Sequence, residues 1–197
     1  SIEHPFGTDR LGRDVLARTL AGLRLSLLVG TSAALISALI AVVLACAAVV
    51  FGGVVDRVVS WLVDAFLALP HLVLLVLLAF ALGGGTQAVV IAVAVTHWPT
   101  LTRVLRGHAR QAITSDYVAV ARGLGRSSWS IATTHLARHL LGHVVVGTVL
   151  LFPHAILHEA ALSFLGLGVD PAEPSIGVLL AESMRFLTAG AWWHALL

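Results

Sequence analysis

The sequence predicts an all-α integral membrane protein, and two observations carry that reading. Of 197 residues, 58% are hydrophobic and only 11% charged, with a mean hydropathy of +0.97; in a soluble domain about a quarter of residues are charged. The few charges are also confined. None falls between Arg24 and Asp56, between Asp64 and Arg103, or between Arg138 and Glu159. Each gap is at least as long as the roughly 20 residues that cross a hydrocarbon layer about 30 Å thick.

Residues 1–24 mix Glu3, Asp9 and Asp14 with Arg10, Arg13, Arg18 and Arg24. Leu16, Leu20, Leu23 and Leu27 follow at helical spacing, a stripe suited to lying at a membrane interface. The start, "SIEHPFGTDR", has no initiator Met and no basic run leading into an apolar one, so it is read as a cut end and not as a signal peptide; the C-terminus is read as a cut end too. Span one is expected near 25–51. The run from Ala65 to Thr102 is broken by three glycines at 83–85, which predicts a tight helical hairpin of spans two, 65–82, and three, 86–102. Span four is expected at 140–164.

Arginine sets the orientation, because translocating basic loops is disfavoured. The stretch 103–138 holds Arg103, Arg106, Arg110, Arg122, Arg126 and Arg138 against Asp116, whereas 164–185 holds Asp170, Glu173 and Glu182 against Arg185. The first is therefore expected in the cytoplasm and the second outside. Counting back places 52–64 inside and residues 1–24 outside. A cytoplasmic connection of that length, rich in small and helix-forming residues, suits a docking element. "DYVAVAR" reads as a short helix, Gly123 and Gly125 as a turn, and Ser127 or Ser128 as the cap of a second helix through "WSIATTHLAR".

Several function classes are excluded. "HEAAL" at 158–162 has Leu162 where a zinc-protease helix needs its second His, and a chain without lysine has no P-loop lysine. Neither an enzyme nor a cofactor or resident metal is predicted, and the formal charge of +2 gives no reason to expect nucleic acid. The single cysteine, Cys46, cannot form an intrachain disulfide. His139, His143, His154 and His158 fall on one sector of span four at i, i+4 spacings. That stripe, with His97, is a candidate cation path, set against a plainer role in interhelical hydrogen bonds. Pro153 is expected to interrupt the helix between the two pairs.

The stretch "YVAVARGLGRSSWSIATTHLA" at 117–137 resembles the cytoplasmic coupling loop of ABC importer permeases. "HPFGTDRLGRDVLARTLAGLRLSLLVG" at 4–30 and "EAALSFLGLGVDPAEPSIGVLLAES" at 159–183 resemble the second permease subunit of the peptide and nickel importers. The resemblance implies the MetI-like type I importer fold, a six-span subunit of which about four to five spans would be present here. It implies no chemistry in the chain itself and four kinds of surroundings: a homologous second permease, two cytoplasmic ABC ATPases, an extracytoplasmic substrate-binding protein, and the lipid of a bacterial or archaeal cytoplasmic membrane. Residues 1–24 would be an extracytoplasmic interfacial segment and 25–197 the permease domain, with 103–138 as its ATPase-docking loop. Ala119, Val120, Ala121 and Arg122 would form the seated helix, with Gly123 and Gly125 as its turn. Ala119 stands where the family usually has glutamate, and "LARH" replaces the usual Leu-Pro at 136–139. The "HW" at His97 and Trp98 tilts the expected cargo towards nickel, free or chelated, beside short peptides. The competing class is a self-sufficient channel or ion-coupled secondary transporter, with Asp64 as its ion site.

Overall fold

The computed structural model describes residues 6–9, 11–170 and 172–188, which leaves Glu3 and Arg10 of the N-terminal charge balance outside it. The described residues form helices: α1 (Val15–Phe51), α2 (Gly53–Ala68), α3 (His71–Ala81), α4 (Gly85–Ile113), α5 (Asp116–Gly123), a short α6 (Ser128–Ser130) running into a π-helical segment (Ile131–Leu136), α7 (Ala137–Phe164) and α8 (Ile176–Thr188). Three of them, α1, α4 and α7, are long and apolar enough to cross a membrane, and α2 with α3 makes a fourth candidate bent by 96°.

Four boundaries differ from the sequence expectations. Span two is not one helix over 65–82: Pro70 disfavours helical backbone at the residue before it, and Leu69 is extended (φ −82°, ψ 141°), so the chain breaks between α2 and α3. The stretch 52–64 is not a plain connection but most of α2. Span three runs on to Ile113, so Arg103, Arg106 and Arg110 belong to a helix. Finally, α7 continues through Pro153 to Phe164; a proline removes one hydrogen bond of a ladder that the rest of a long apolar helix maintains. The glycines at 83–85 do separate two helices, α3 and α4.

The chain divides into two compact units, one from residues 1–33, 75–93 and 153–197 and another from 34–74 and 94–152. In the second unit the buried face of α1 is Ala38, Ala41, Ala45 and Ala48, packed with Val59, Val63, Trp98, Leu101, Leu105 and Leu140. Its exposed face carries Leu35, Ile36, Leu39 and Val43. Small residues inside and large apolar ones outside invert the soluble pattern. Lipid is as apolar as leucine, so helices associate through close packing of small side chains and leave the bulky ones to the bilayer.

The first unit packs Val29 and Ala33 of α1 against Leu75 and Ala79 of α3, Val89 and Ala92 of α4, and Ala155 and Leu162 of α7. Its N-terminal turn is fastened by charge. Asp9 accepts the backbone N–H groups of Leu11 and Arg13, at 2.8 and 2.9 Å. Buried Arg18 donates to Asp9 at 3.0 Å and grips Glu182 of α8 with two bonds, 2.6 and 3.1 Å. The planar guanidinium suits such forked pairing in a way that an ammonium does not. On the other side α8 meets α7 without room for a side chain: a Cβ at Gly177 would collide with the Ala160 carbonyl oxygen and lie 2.6 Å from the Ser163 Cβ.

Two outcomes follow for stability. Gly177→Ala should destabilise the protein by at least about 1–3 kcal/mol, because the obstacle is backbone; Gly107→Ala, where nothing lies within 4 Å, should be tolerated. Thermal unfolding in detergent compares them, and equal midpoints would show that α8 is not held where described. The second outcome concerns pH. Burial pushes the Asp9 carboxyl up, but hydrogen bonds from Arg13 and Leu11 and the Arg13 charge outweigh it and hold the pKa below its ordinary value. A lowered carboxyl pKa contributes stability that is full above about pH 4 and is lost as pH falls through the folded-state value. Amide exchange over residues 11–22, corrected for intrinsic rates, should therefore speed up below about pH 4 in the wild type and already be fast at neutral pH in Arg18→Met.

Candidate functional site

Between α4 and α7 the second unit carries an elbow of short helices. It begins at Ser115, whose carbonyl accepts the N–H groups of Val118 and Ala119 at 3.1 and 3.2 Å and so opens α5. Val118 and Ala121 are buried, three residues apart on one face of α5, which packs against the π-helical segment where Ile131 and Leu136 are also buried. On the outer face stand Tyr117, Val120 and Leu124, the last two 62% and 80% exposed.

The end of α5 is a Schellman closure. Arg126 N–H donates to the Ala121 carbonyl at 3.1 Å and Gly125 N–H to the Arg122 carbonyl at 2.9 Å, with Gly125 at φ 76°. Those two bonds satisfy carbonyls that the helix end would leave open, and the left-handed residue between them favours glycine. Ser127 then caps the next element: its Oγ accepts the Ser130 N–H at 3.2 Å and its carbonyl the Ile131 N–H at 3.0 Å. Between the two candidate caps the structure selects Ser127. The wider turns of Ile131–Leu136 are rare in proteins and recur at functional sites.

Among the expected docking residues, Ala119, Val120, Arg122, Gly123 and Gly125 are at the surface, whereas Ala121 anchors the helix from beneath. Sequence reading missed Tyr117, Leu124 and Trp129, which enlarge the exposed apolar surface. Their signal was available: 117, 120 and 124 share a helix face.

Below the elbow, α2 and α4 are joined by charge. Asp56 accepts from Arg106 Nε at 2.6 Å and from Arg110 at 2.5 Å, and Asp64 accepts from Arg103 at 2.5 Å. The arginine extension of α4 therefore has partners on α2. Asp64, the ion site of the competing transporter class, is an exposed half of an ion pair.

The histidines read as a cation path are distributed differently. In the second unit, His97 is buried on α4 with its ring edge-on to His71, centroids 4.6 Å apart. In the first unit, His154 is exposed and His158 half-buried on α7, and each is already engaged in an interaction. One residue next to His158 escaped notice as more than a failed protease motif. Glu159 is fully buried, and its Oε1 accepts the Ser163 hydroxyl at 2.7 Å. The Ser163 oxygen in turn accepts the Val169 N–H at 3.0 Å, which fastens the turn after α7. The other carboxylate oxygen is buried without a hydrogen-bond partner among the described residues. An acid within a span is the signal that could have singled it out.

Comparison with known proteins gives the family of the chain. The family model described as "Binding-protein-dependent transport system inner membrane component" matches residues 33–197. The chain is 36% identical over 194 residues to the dipeptide transport system permease protein DppC of Bacillus subtilis, covering 98% of this chain and 61% of that protein. It is 34% identical to the oligopeptide transport system permease protein OppC of the same organism, covering 98% and 63%. It is also 34% identical to the probable D,D-dipeptide transport system permease protein DdpC of Escherichia coli, covering 98% and 65%. The chain thus spans somewhat less than two thirds of the length of these relatives. Its three long apolar helices and bent pair, small-residue packing and family match agree: the chain is an integral membrane protein and belongs to the family of binding-protein-dependent transport system inner membrane components.

Proposed function

We propose that this chain is the permease domain of a subunit in an ABC importer that moves short peptides across a bacterial or archaeal cytoplasmic membrane. The observation that carries the reading is the elbow: a rigidly closed turn presenting Val120, Leu124, Tyr117 and Trp129 beside the exposed Arg122 and Arg126, in a chain whose relatives are named as dipeptide and oligopeptide permeases. Such a surface suits insertion into a groove with an apolar floor and an acidic rim. That groove would belong to one of the two cytoplasmic ATPases, whose closure on ATP would be transmitted through α5 to α4 and α7 as a rigid-body alternation. A homologous second permease and an extracytoplasmic binding protein complete the assembly. Arg122 in the last turn of α5 also complements the negative end of that helix, so the glutamate missing at Ala119 is not needed to keep the helix formed.

Peptide is the cargo that the relatives' names support; nickel, suggested by His97 and Trp98, has no such support. Sidedness follows from charge. Asp56 and Asp64 pair with Arg103, Arg106 and Arg110, so the outer part of α2 shares a membrane face with the arginine-rich end of α4, and that face is cytoplasmic by the positive-inside rule. The Asp64–Arg103 pair also counts against an ion-coupled carrier, which needs a carboxylate free to exchange its cation.

Gly125→Val tests the coupling. A β-branched residue at positive φ carries strain of about 1–3 kcal/mol, enough to displace the outer face of α5. Peptide uptake by the assembled importer should fall about fivefold or more at equal membrane insertion, whereas Gly107→Ala, away from the elbow and with open space around its Cβ, should transport normally. Normal uptake by Gly125→Val would remove the elbow from the coupling path. For sidedness, in a Cys46→Ala background, a cysteine replacing Ser127 should react with an impermeant maleimide only from the cytoplasm and one replacing the exposed Ala172 only from outside. Labelling of both from one face would overturn the arrangement.

A further inference from the structure

Helix α2 turns three different sides to its surroundings. Val59 and Val63 are buried in the core that holds Trp98 and Leu105 of α4, and the ring of Phe66 lies 5.2 Å from that of Trp98, centroid to centroid. Val54, Val58, Trp61 and Ala65 follow at spacings of four, three and four, so they form a stripe on another side. Its large members are exposed, Trp61 by 68%. Arg57 and Asp64 are exposed as well and mark a polar flank, with Trp61 one helical turn from each.

We propose that this outward side of α2 binds anionic phospholipid at the cytoplasmic face of the membrane, the valines and the Trp61 ring at the acyl boundary and Arg57 on a headgroup phosphate; the side of the membrane is that of the sidedness given above. Level, shape and charge each point there. The pairs Asp64–Arg103 and Asp56–Arg106 set α2 alongside the stretch of α4 that begins at Arg103, the first charge after the uncharged run 65–102. Hydrocarbon gives way to headgroups at such a boundary, and tryptophan is enriched there. A helix–helix contact within a membrane calls for small residues, as on the buried alanine face of α1, whereas valine and tryptophan suit lipid. The bend of 96° at Leu69 and Pro70 keeps α2 from being the straight continuation of α3. An apolar stripe beside a basic flank is what a helix lying in the interface presents.

The charge decides which lipid. Asp56 and Asp64 are taken up by arginines of α4, which leaves Arg57 as the charge that α2 offers outward, and the side chains of Arg103 and Arg110 remain 56% exposed. Together α2 and the end of α4 carry four arginines against two aspartates, so the surface is cationic and its complement is an anionic headgroup.

The test uses the full-length protein with its partner subunits in nanodiscs of phosphatidylcholine mixed equally with phosphatidylglycerol. Native mass spectrometry of the complex released from them reads which lipid is retained. The wild type should prefer phosphatidylglycerol, and Arg57→Gln should weaken that preference about fivefold, the worth of one arginine at an anionic surface. Arg57→Lys should keep it, and so should Arg126→Gln on the elbow. Arg57 is exposed, so its variants keep the fold, and an unchanged elution profile verifies this. An unchanged preference in Arg57→Gln would overturn the headgroup contact. Contact with acyl chains is read separately. In a Cys46→Ala background, with the partners' cysteines replaced, a spin label at Val58→Cys should collide more with oxygen, which concentrates in lipid, than with a water-soluble nickel chelate. The reverse order would place this side of α2 in water, and slow collision with both would mean that a protein covers it; either result overturns the proposal. Neither readout depends on uptake, so a failure here is distinguishable from a failure of the importer reading.

Discussion

The pairing of Asp56 and Asp64 with the arginines of α4 is the interaction that sets α4 against α2 just before the elbow begins. An arginine-rich helix end has no reason to stay helical and pressed against apolar neighbours unless its charge is answered. Arg106 and Arg110 are one helical turn apart and share Asp56, so both guanidiniums draw the same face of α4 onto α2. Past these arginines α4 runs on to Ile113, and α5 opens at Asp116. Exposed pairs of this kind contribute about 0–1 kcal/mol each, and Arg103 with Asp64 is one of them; the Asp56 cluster is less exposed and correspondingly better insulated from water. The charges matter less as a source of stability than as a fixed register between two helices.

Both units join helices closely, by different means. In the second, alanine on α1 lets large partners from α4 and α7 approach, and its outward leucines and valines are left for lipid. In the first, a buried guanidinium ties three segments of chain together, and Gly177 admits α8 against the backbone of α7. Ser163 and Glu159 extend the same logic to the turn after α7, where side chains supply the hydrogen bonds that a loop near a membrane cannot leave to water.

Much of this was legible in the sequence, for physical reasons. Uncharged runs announce spans because the cost of burying a charge in hydrocarbon is large, and α1, α4 and α7 were all found in outline. The elbow was legible because glycine, serine and a short apolar repeat have local meanings: Gly125 closes α5, and Ser127 caps α6 and the π-helical turns beyond it. The features that escaped were mostly non-local. Nothing near Arg103 shows that its helix continues, since the reason lies on α2, and the exposure of Leu124 depends on which face of α5 the π-helical segment covers. Pro70 is the exception. Its effect on Leu69 is local, and it was masked by reading hydropathy alone across 65–82. The histidines divide the same way: spacing along α7 was visible, but the ring stacked on that of His143 belongs to His108 of α4.

The hydrogen bonds that open α5, close it and cap the next element, from the Ser115 carbonyl to the Ile131 N–H, lie within residues 115–131. The backbone of the elbow therefore owes its form to its own short sequence, while Val120, Leu124 and Trp129 point away from that scaffold. Recognition and architecture are thus written in different letters of the same segment. Substitution of the outward letters, the exposed Ala119 among them, would leave the hydrogen bonds of the turn in place.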